Sequence, residues 1–174
     1  MLWIILGTVI SYLIGSIPTA YIFGRVLKGI DIRQFGSGNV GATNALRVLG
    51  KGAGITVLIL DILKGFLAVL LVSWFINSKI AAASDEMLLI ILGLSCISGH
   101  NWTIFLRFKG GKGLATTLGV LICFAVKIPG FSLVLGLSIL IWFMVFIAVR
   151  IVSLASIISA IALPAMTVIF NQKT

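Results

Sequence analysis

Acidic side chains are scarce. There are four in 174 residues, Asp31, Asp61, Asp85 and Glu86, against thirteen Lys and Arg, for a net charge of +9. So few carboxylates leave no acid pair on one face for general acid–base work and none near Lys109 to Thr117 to hold magnesium. One histidine, His100, excludes a histidine-rich metal cluster, and with so few acids no Ser-His-Asp set is read in the sequence. It also fails the commonest acyltransferase pattern of His with Asp five positions later, because Phe105 stands there. The two cysteines, Cys96 and Cys123, lie in apolar runs without CxxC spacing and read as packing residues. No metal site and no cofactor are expected. Charge of either sign is rare as well, at 10% of residues, which excludes an ordinary soluble domain.

What fills the chain is apolar: 60% of residues, with a mean hydropathy of +1.26. Runs with few charges set the expected spans at Met1 to Gly24, Lys51 to Lys79, Met87 to Leu106, Gly113 to Val126, Ile128 to Val149 and Ile151 to Gln172. A helix needs about 20 residues to cross about 30 Å of hydrocarbon. Most of these runs suffice, whereas Gly113 to Val126 reaches about 21 Å if helical. The expectation is an all-α, polytopic membrane bundle of six spans forming a single domain, 1–174. Pro18, Pro129 and Pro164 read as kinks or helix ends. The first run lacks a basic n-region and a small-residue cleavage site, so it reads as a retained span.

If the loops alternate sides, one side receives Arg25, Lys28, Arg33, Arg47, Lys51, Arg107, Lys109, Lys112 and Arg150, and the other Lys79, Lys127 and Lys173. The positive-inside bias makes the first side cytoplasmic and puts the N-terminus outside. Topology and anionic membrane lipids account for many of these cations. Two loops on the richer side hold more than charge.

In the 27-residue connection from Arg25 to Lys51, "GSGNVGATNALRVLG" runs from Gly36 to Gly50. Its glycines, Gly36, Gly38 and Gly41 among them, allow amides to converge on an anion, and Ser37, Asn39, Thr43 and Asn44 add polar side chains. A short helix from about Thr43 to Gly50 puts Thr43 and Arg47 on one face. In the second loop, "KGGKGLATT", Lys109 to Thr117, glycines 110, 111 and 113 can leave amides free at a helix start, with Lys112 beside them. The spacing is not that of a nucleotide-binding P-loop, since Leu106 occupies the first glycine position and Gly113 the Ser/Thr position. Arg150 and "VSLAS", with Ser153 and Ser156 a turn apart, approach the same expected face. Asp61 and Lys64, at i, i+3 inside a span, either neutralise each other or line a polar cavity. His100 in "GHNW" suits positioning or packing. Strong anion binding without protein bases suits phosphorylated substrates, whose own phosphate accepts the proton.

In "GSIPTAYIFGR", "GSGNVGATNALRVLGKGAG", "LDILKG", "GHNWTIFLRFKGGKGLATTLG" and "RIVSLAS", in this order, the sequence resembles the bacterial PlsY family, membrane acyl-phosphate:glycerol-3-phosphate acyltransferases. The resemblance implies acyl transfer from acyl phosphate to the 1-hydroxyl of glycerol 3-phosphate, giving lysophosphatidic acid and phosphate in phospholipid synthesis. It implies a bacterial cytoplasmic-membrane location, an upstream acyl-phosphate-forming enzyme as partner, and no nucleic acid. It carries Ser37, Arg47 and Lys112 as catalytic residues. Gly36, Gly38, Asn39, Gly41, Thr43, Asn44, Gly110, Gly111, Gly113 and Ser153 follow as substrate-binding, and Arg150 as an anchor of its helix end; Asp61, Lys64 and His100 are the other candidates for a supporting role. It also implies a seventh helix with a His-x-x-Asn segment, of which this sequence, stopping at "VIFNQKT", shows no equivalent; Asn171 falls on the expected outer side. A transporter of phosphate or a small phosphorylated anion is the alternative, favoured by Asp61 and Lys64 but opposed by the lack of related halves.

Overall fold

The computed structural model describes residues 1–79 and 85–171, with the side chains of Asp85 and Asn171 excepted. Gln172 and Lys173, expected as the end of the last span and an outer charge, lie outside the described residues. The elements are helices α1 (Leu2–Ser16), α2 (Thr19–Lys28), α3 (Ala42–Leu49), α4 (Lys51–Asn77), α5 (Asp85–Asn101), α6 (Leu114–Lys127), α7 (Phe131–Val149) and α8 (Val152–Asn171), with 3-10 turns at Ile32–Gln34 and Ile104–Leu106.

Five stretches among the described residues are long and apolar enough to cross a membrane: 2–28, 51–77, 86–106, 131–149 and 152–170. The expected sixth, α6, has 14 residues and falls short of that length, as its charge-free run foretold. The first span is not one helix. Pro18 has no N–H to donate and disfavours helical geometry at Ile17, so α1 ends at Ser16 and α2 starts at Thr19. Pro129 falls between α6 and α7, and Pro164 is inside α8.

Residues 1–120 form one compact unit and residues 121–174 another, the boundary falling within α6. In the first, α1 packs along α4 and α5. Lipid is as apolar as a leucine side chain, so close backbone approach and interhelical hydrogen bonds hold the helices together. Gly15 of α1 lies on the Cys96 backbone and Gly99 of α5 on that of Tyr12. Ser11 donates to the Leu92 carbonyl at 2.7 Å and Ser95 returns a bond to Thr8 at 2.7 Å.

Helical periodicity decides which side chains meet. On α5, Leu88, Leu92, Cys96 and His100, four residues apart, are all buried, while Leu94 is 61% exposed. On α4 the buried stripe runs through Val57, Asp61, Lys64, Ala68 and Val72. The single histidine and the intramembrane charges thus sit on core-facing stripes. In the second unit, α7 and α8 pack as a hairpin whose turn residue Arg150 has φ 56°. Trp142 donates to Ser156 Oγ at 3.0 Å, and Ser159 donates to the Ser138 carbonyl at 2.7 Å.

Candidate functional site: two braced glycine loops around an anion groove

The segment between α2 and α4 is anchored by a small apolar cluster of Ala20, Ile32, Val40, Ala45, Val57 and Leu106. Helix α3 spans Ala42–Leu49 and stops at Gly50, so Thr43 and Arg47 share an exposed face, as the sequence predicts. Asn44, expected among the binding residues, instead points inward at 1% exposure. Its Oδ1 accepts the Ser37 amide at 2.9 Å, and its Nδ2 donates to the carbonyls of Phe35 at 3.1 Å and Ile32 at 3.3 Å. All of its polar capacity in view goes to the loop backbone. Gly36 is necessary for this arrangement: its φ is 61°, and a Cβ there would collide with Asn44 Oδ1.

The second loop is held differently. Arg107 and Phe108 adopt φ of 56° and 61°, values L-residues rarely take, and fold the chain back on the end of α5. There Phe108 N–H donates to the Thr103 carbonyl at 2.9 Å, Gly110 N–H to Asn101 at 3.0 Å and Gly111 N–H to His100 at 3.0 Å. The expectation of free glycine amides therefore fails at Gly110 and Gly111, because the last carbonyls of α5 have no donor within the helix and take theirs from the loop. The glycines serve close approach instead. A Cβ on Gly110 would strike the His100 carbonyl oxygen, and one on Gly111 the His100 Nε2. Gly113 lies against the Asn101 side chain. The first bond of α6 runs from Thr117 N–H to the Gly113 carbonyl at 2.7 Å, so the amides of residues 113–116 have no acceptor within the helix. These are the amides at which a helix start favours an anion.

The two loops meet. A groove of about 480 Å³ is lined by Asp31, Arg33, Gln34, Ser37, Gly38 and Asn39 from the first and Lys109 and Gly110 from the second. Beside it, about 460 Å³ is bounded by Tyr21, Arg33, Phe105, Leu106, Arg107 and Lys109. Ser37, Gly38, Asn39 and Gly110 are thus brought together in one lining. Arg47, Lys112, Gly36 and Thr43 are exposed and outside both linings; half-buried Gly41 and Gly111 and buried Gly113 are outside them too. Ser153 and Arg150 lie in the second unit, Ser153 exposed at the start of α8 and Arg150 exposed at the α7–α8 turn.

Arg33 and Lys109, which the sequence shows only as topological charges, prove to line the groove, and Arg107 lines the space beside it. The legible signal was Asp31 two residues before Arg33. The Asp31 carboxylate accepts from the Arg33 amide at 3.0 Å and from its guanidinium at 2.6 Å, and Arg25 comes within 3.8 Å. Chiefly through that side-chain bond, Arg33 pulls the Asp31 carboxyl down from 3.8 to about 2 and is itself raised. Arg33 and Arg25 also lie over the Tyr21 ring, at 5.3 and 5.2 Å. Each guanidinium is fixed in direction before any ligand arrives.

Behind the loops, Asp61 and Lys64 pair at 2.9 Å with side chains 2% and 8% exposed. Thr19 donates to Asp61 at 2.8 Å and Lys64 donates to the Ile17 carbonyl at 2.8 Å. Of the two readings of these charges, mutual neutralisation is the one the geometry realises. Among the described residues no cluster of three metal-ligating side chains occurs.

Fold and site together define a multi-pass helical membrane protein with a glycine-braced cationic face. A family model described as glycerol-3-phosphate acyltransferase matches residues 5–174. The chain is 47% identical over 171 residues to "Glycerol-3-phosphate acyltransferase 2" of Moorella thermoacetica, covering 98% of this chain and 80% of that protein. It is 48% identical over 168 residues to a glycerol-3-phosphate acyltransferase of Chlorobium phaeobacteroides, covering 94% and 69%. Among solved structures it resembles crystal structures of the integral membrane glycerol 3-phosphate acyltransferase PlsY. The glycerol 3-phosphate form gives a TM-score of 0.79 at 39% identity, and the lysophosphatidic acid form 0.77 at 38%, each covering 95% of this chain and 76% of that one. The chain belongs to the glycerol-3-phosphate acyltransferase family.

Proposed function

We infer that this chain acylates glycerol 3-phosphate to lysophosphatidic acid, with acyl phosphate as donor and the 1-hydroxyl as acceptor. The observation that carries the reading is the groove in which Ser37, Gly38 and Asn39 face Arg33, Lys109 and Gly110, in a chain of this family. Both substrates carry phosphate, and a face with two cationic, glycine-rich loops suits a pair of anions held side by side, which supplies proximity. The hydroxyl oxygen attacks the acyl carbonyl carbon as the carbon–oxygen bond to phosphate breaks, and the bonding pair leaves with the phosphate. The hydroxyl proton passes to a substrate phosphate oxygen, since the face offers no free carboxylate: Asp31 is held ionised against Arg33. Lys112 and the first amides of α6 stabilise the departing phosphate, Arg47 and Thr43 hold the other anion, and Ser37 orients the acceptor. No covalent acyl-enzyme is required. Ser153 is carried as a substrate-binding residue, and Arg150 as the anchor of its helix end, on the family resemblance. The face is assigned to the cytoplasmic side of a bacterial inner membrane, with the N-terminus outside and α6 as a sixth, tilted or recessed span.

The test is formation of lysophosphatidic acid and phosphate from palmitoyl phosphate and glycerol 3-phosphate by the purified protein. Acceptor-dependent turnover that falls by about 100-fold or more in both Arg47→Ala and Lys112→Ala is expected, a drop typical of losing transition-state contacts. Their exposure predicts little change in folding. An acylated Ser37 recovered after rapid quenching would overturn direct transfer.

A further inference from the structure

Burying an ion pair in a membrane helix is costly, and an apolar pair of equal volume often packs as well or better. The surroundings of Asp61 and Lys64 show what the pair holds. Ile17 ends α1 at the proline break, and its carbonyl, outside the helical ladder, accepts from the Lys64 ammonium at 2.8 Å. Thr19, the first residue of α2, donates to Asp61 at 2.8 Å. The pair therefore clasps both sides of the break. On its other side Asp61 Oδ1 faces His100 Nδ1 at 3.8 Å, with the ring 6% exposed. The opposite edge of that ring, at Nε2, is the surface a side chain on Gly111 would strike, and the His100 backbone carbonyl holds the Gly111 amide at 3.0 Å. Carboxylate, imidazole and loop glycine form one stack with no room for an added methyl.

We propose that Asp61, Lys64 and His100 are positioning residues. The buried pair fixes the α1–α2 break and, through the His100 ring, sets the height of the Lys109–Gly113 loop over the end of α5. This rests on the functional reading above only for what the loop does, not for how it is held. None of the three touches the groove; they act through Gly111 and through the helix break that leads into α2. The 36–50 loop has its own brace in Asn44, so of the two loops only Lys109–Gly113 takes its height from this cluster. A packed ring between charge and glycine transmits displacement because protein interiors have little free volume to absorb it.

The experiment is hydrogen exchange of the detergent-solubilised full chain, read on peptides covering 107–113 and 42–49, with turnover measured beside it. In Asp61→Asn, and in the charge-free double variant Asp61→Asn/Lys64→Met, exchange in 107–113 is expected to accelerate at least tenfold while 42–49 changes less than twofold. Gly111→Ala, which leaves the ion pair untouched but pushes the ring, should give the same pattern. In all three, kcat falls at least tenfold. His100→Gln, which keeps a polar side chain of similar reach, should recover part of what His100→Ala loses. Unchanged exchange in 107–113, or acceleration spread equally over 42–49, would overturn the proposal. If wild-type protein shows no turnover at all, the functional reading fails while the exchange result still decides this one.

Discussion

The two glycine loops look alike as strings and are built on different principles. The 36–50 loop is braced by one of its own side chains, Asn44, which answers the Ser37 amide and the carbonyls of Ile32 and Phe35 just before it. The 107–113 loop is braced from outside, by main-chain carbonyls at the end of α5 and by a ring backed by a buried ion pair. A self-braced loop depends on one residue, so a single truncation releases it. An externally braced loop depends on contact distance, so an added methyl is the damaging change.

The comparison predicts what breaks each loop. Asn44→Leu removes the first brace and leaves one buried and two part-buried backbone groups unpaired, at about 1–3 kcal/mol for the buried one and less for the others. Unfolding in detergent should show a loss of about 2–4 kcal/mol, with turnover down more than 100-fold; a melting point unchanged within error would mean the brace is dispensable. Gly110→Ala adds one methyl against the His100 carbonyl, and overpacking of this kind typically costs about 1–3 kcal/mol. Turnover is expected to fall about tenfold or more while exchange in 42–49 stays as in wild type. Equal disturbance of both loops would merge the two cases. Asp31→Asn should have the smallest effect of the three variants. Its carboxyl is lowered from 3.8 to about 2 in the folded chain, so its contribution is present above about 3.8 and is lost as pH falls through about 2. Melting curves between pH 2 and 6 should therefore be flatter below pH 4 in the variant than in wild type.

Legibility followed the range of the interactions. Helix α3 was foretold nearly to its ends because a face of alternating polarity and a terminal glycine are local signals. Pro18 announced the break for the same reason. The connection itself was drawn too long at its start, since α2 continues through Lys28: the first charge, Arg25, marks an amphipathic helix and not its end. Free glycine amides were expected at 110 and 111 because glycine announces close approach without saying to what. The partners are nine and eleven residues away, around a turn made by two non-glycine residues at positive φ, which no local pattern indicates. Arg33 and Lys109 were hidden among cations that topology alone would explain, until folding put them in one groove.

The sequence by itself determined that this chain lives in a membrane, where its helices run and break, and that two cationic glycine loops exist, because hydropathy, proline and glycine act over a few residues. Only the tertiary structure decided which amides are spent, that Asn44 is a brace, and that the lone histidine stands between a buried carboxylate and a loop glycine. Those are distances between residues far apart in the chain, and close packing sets them.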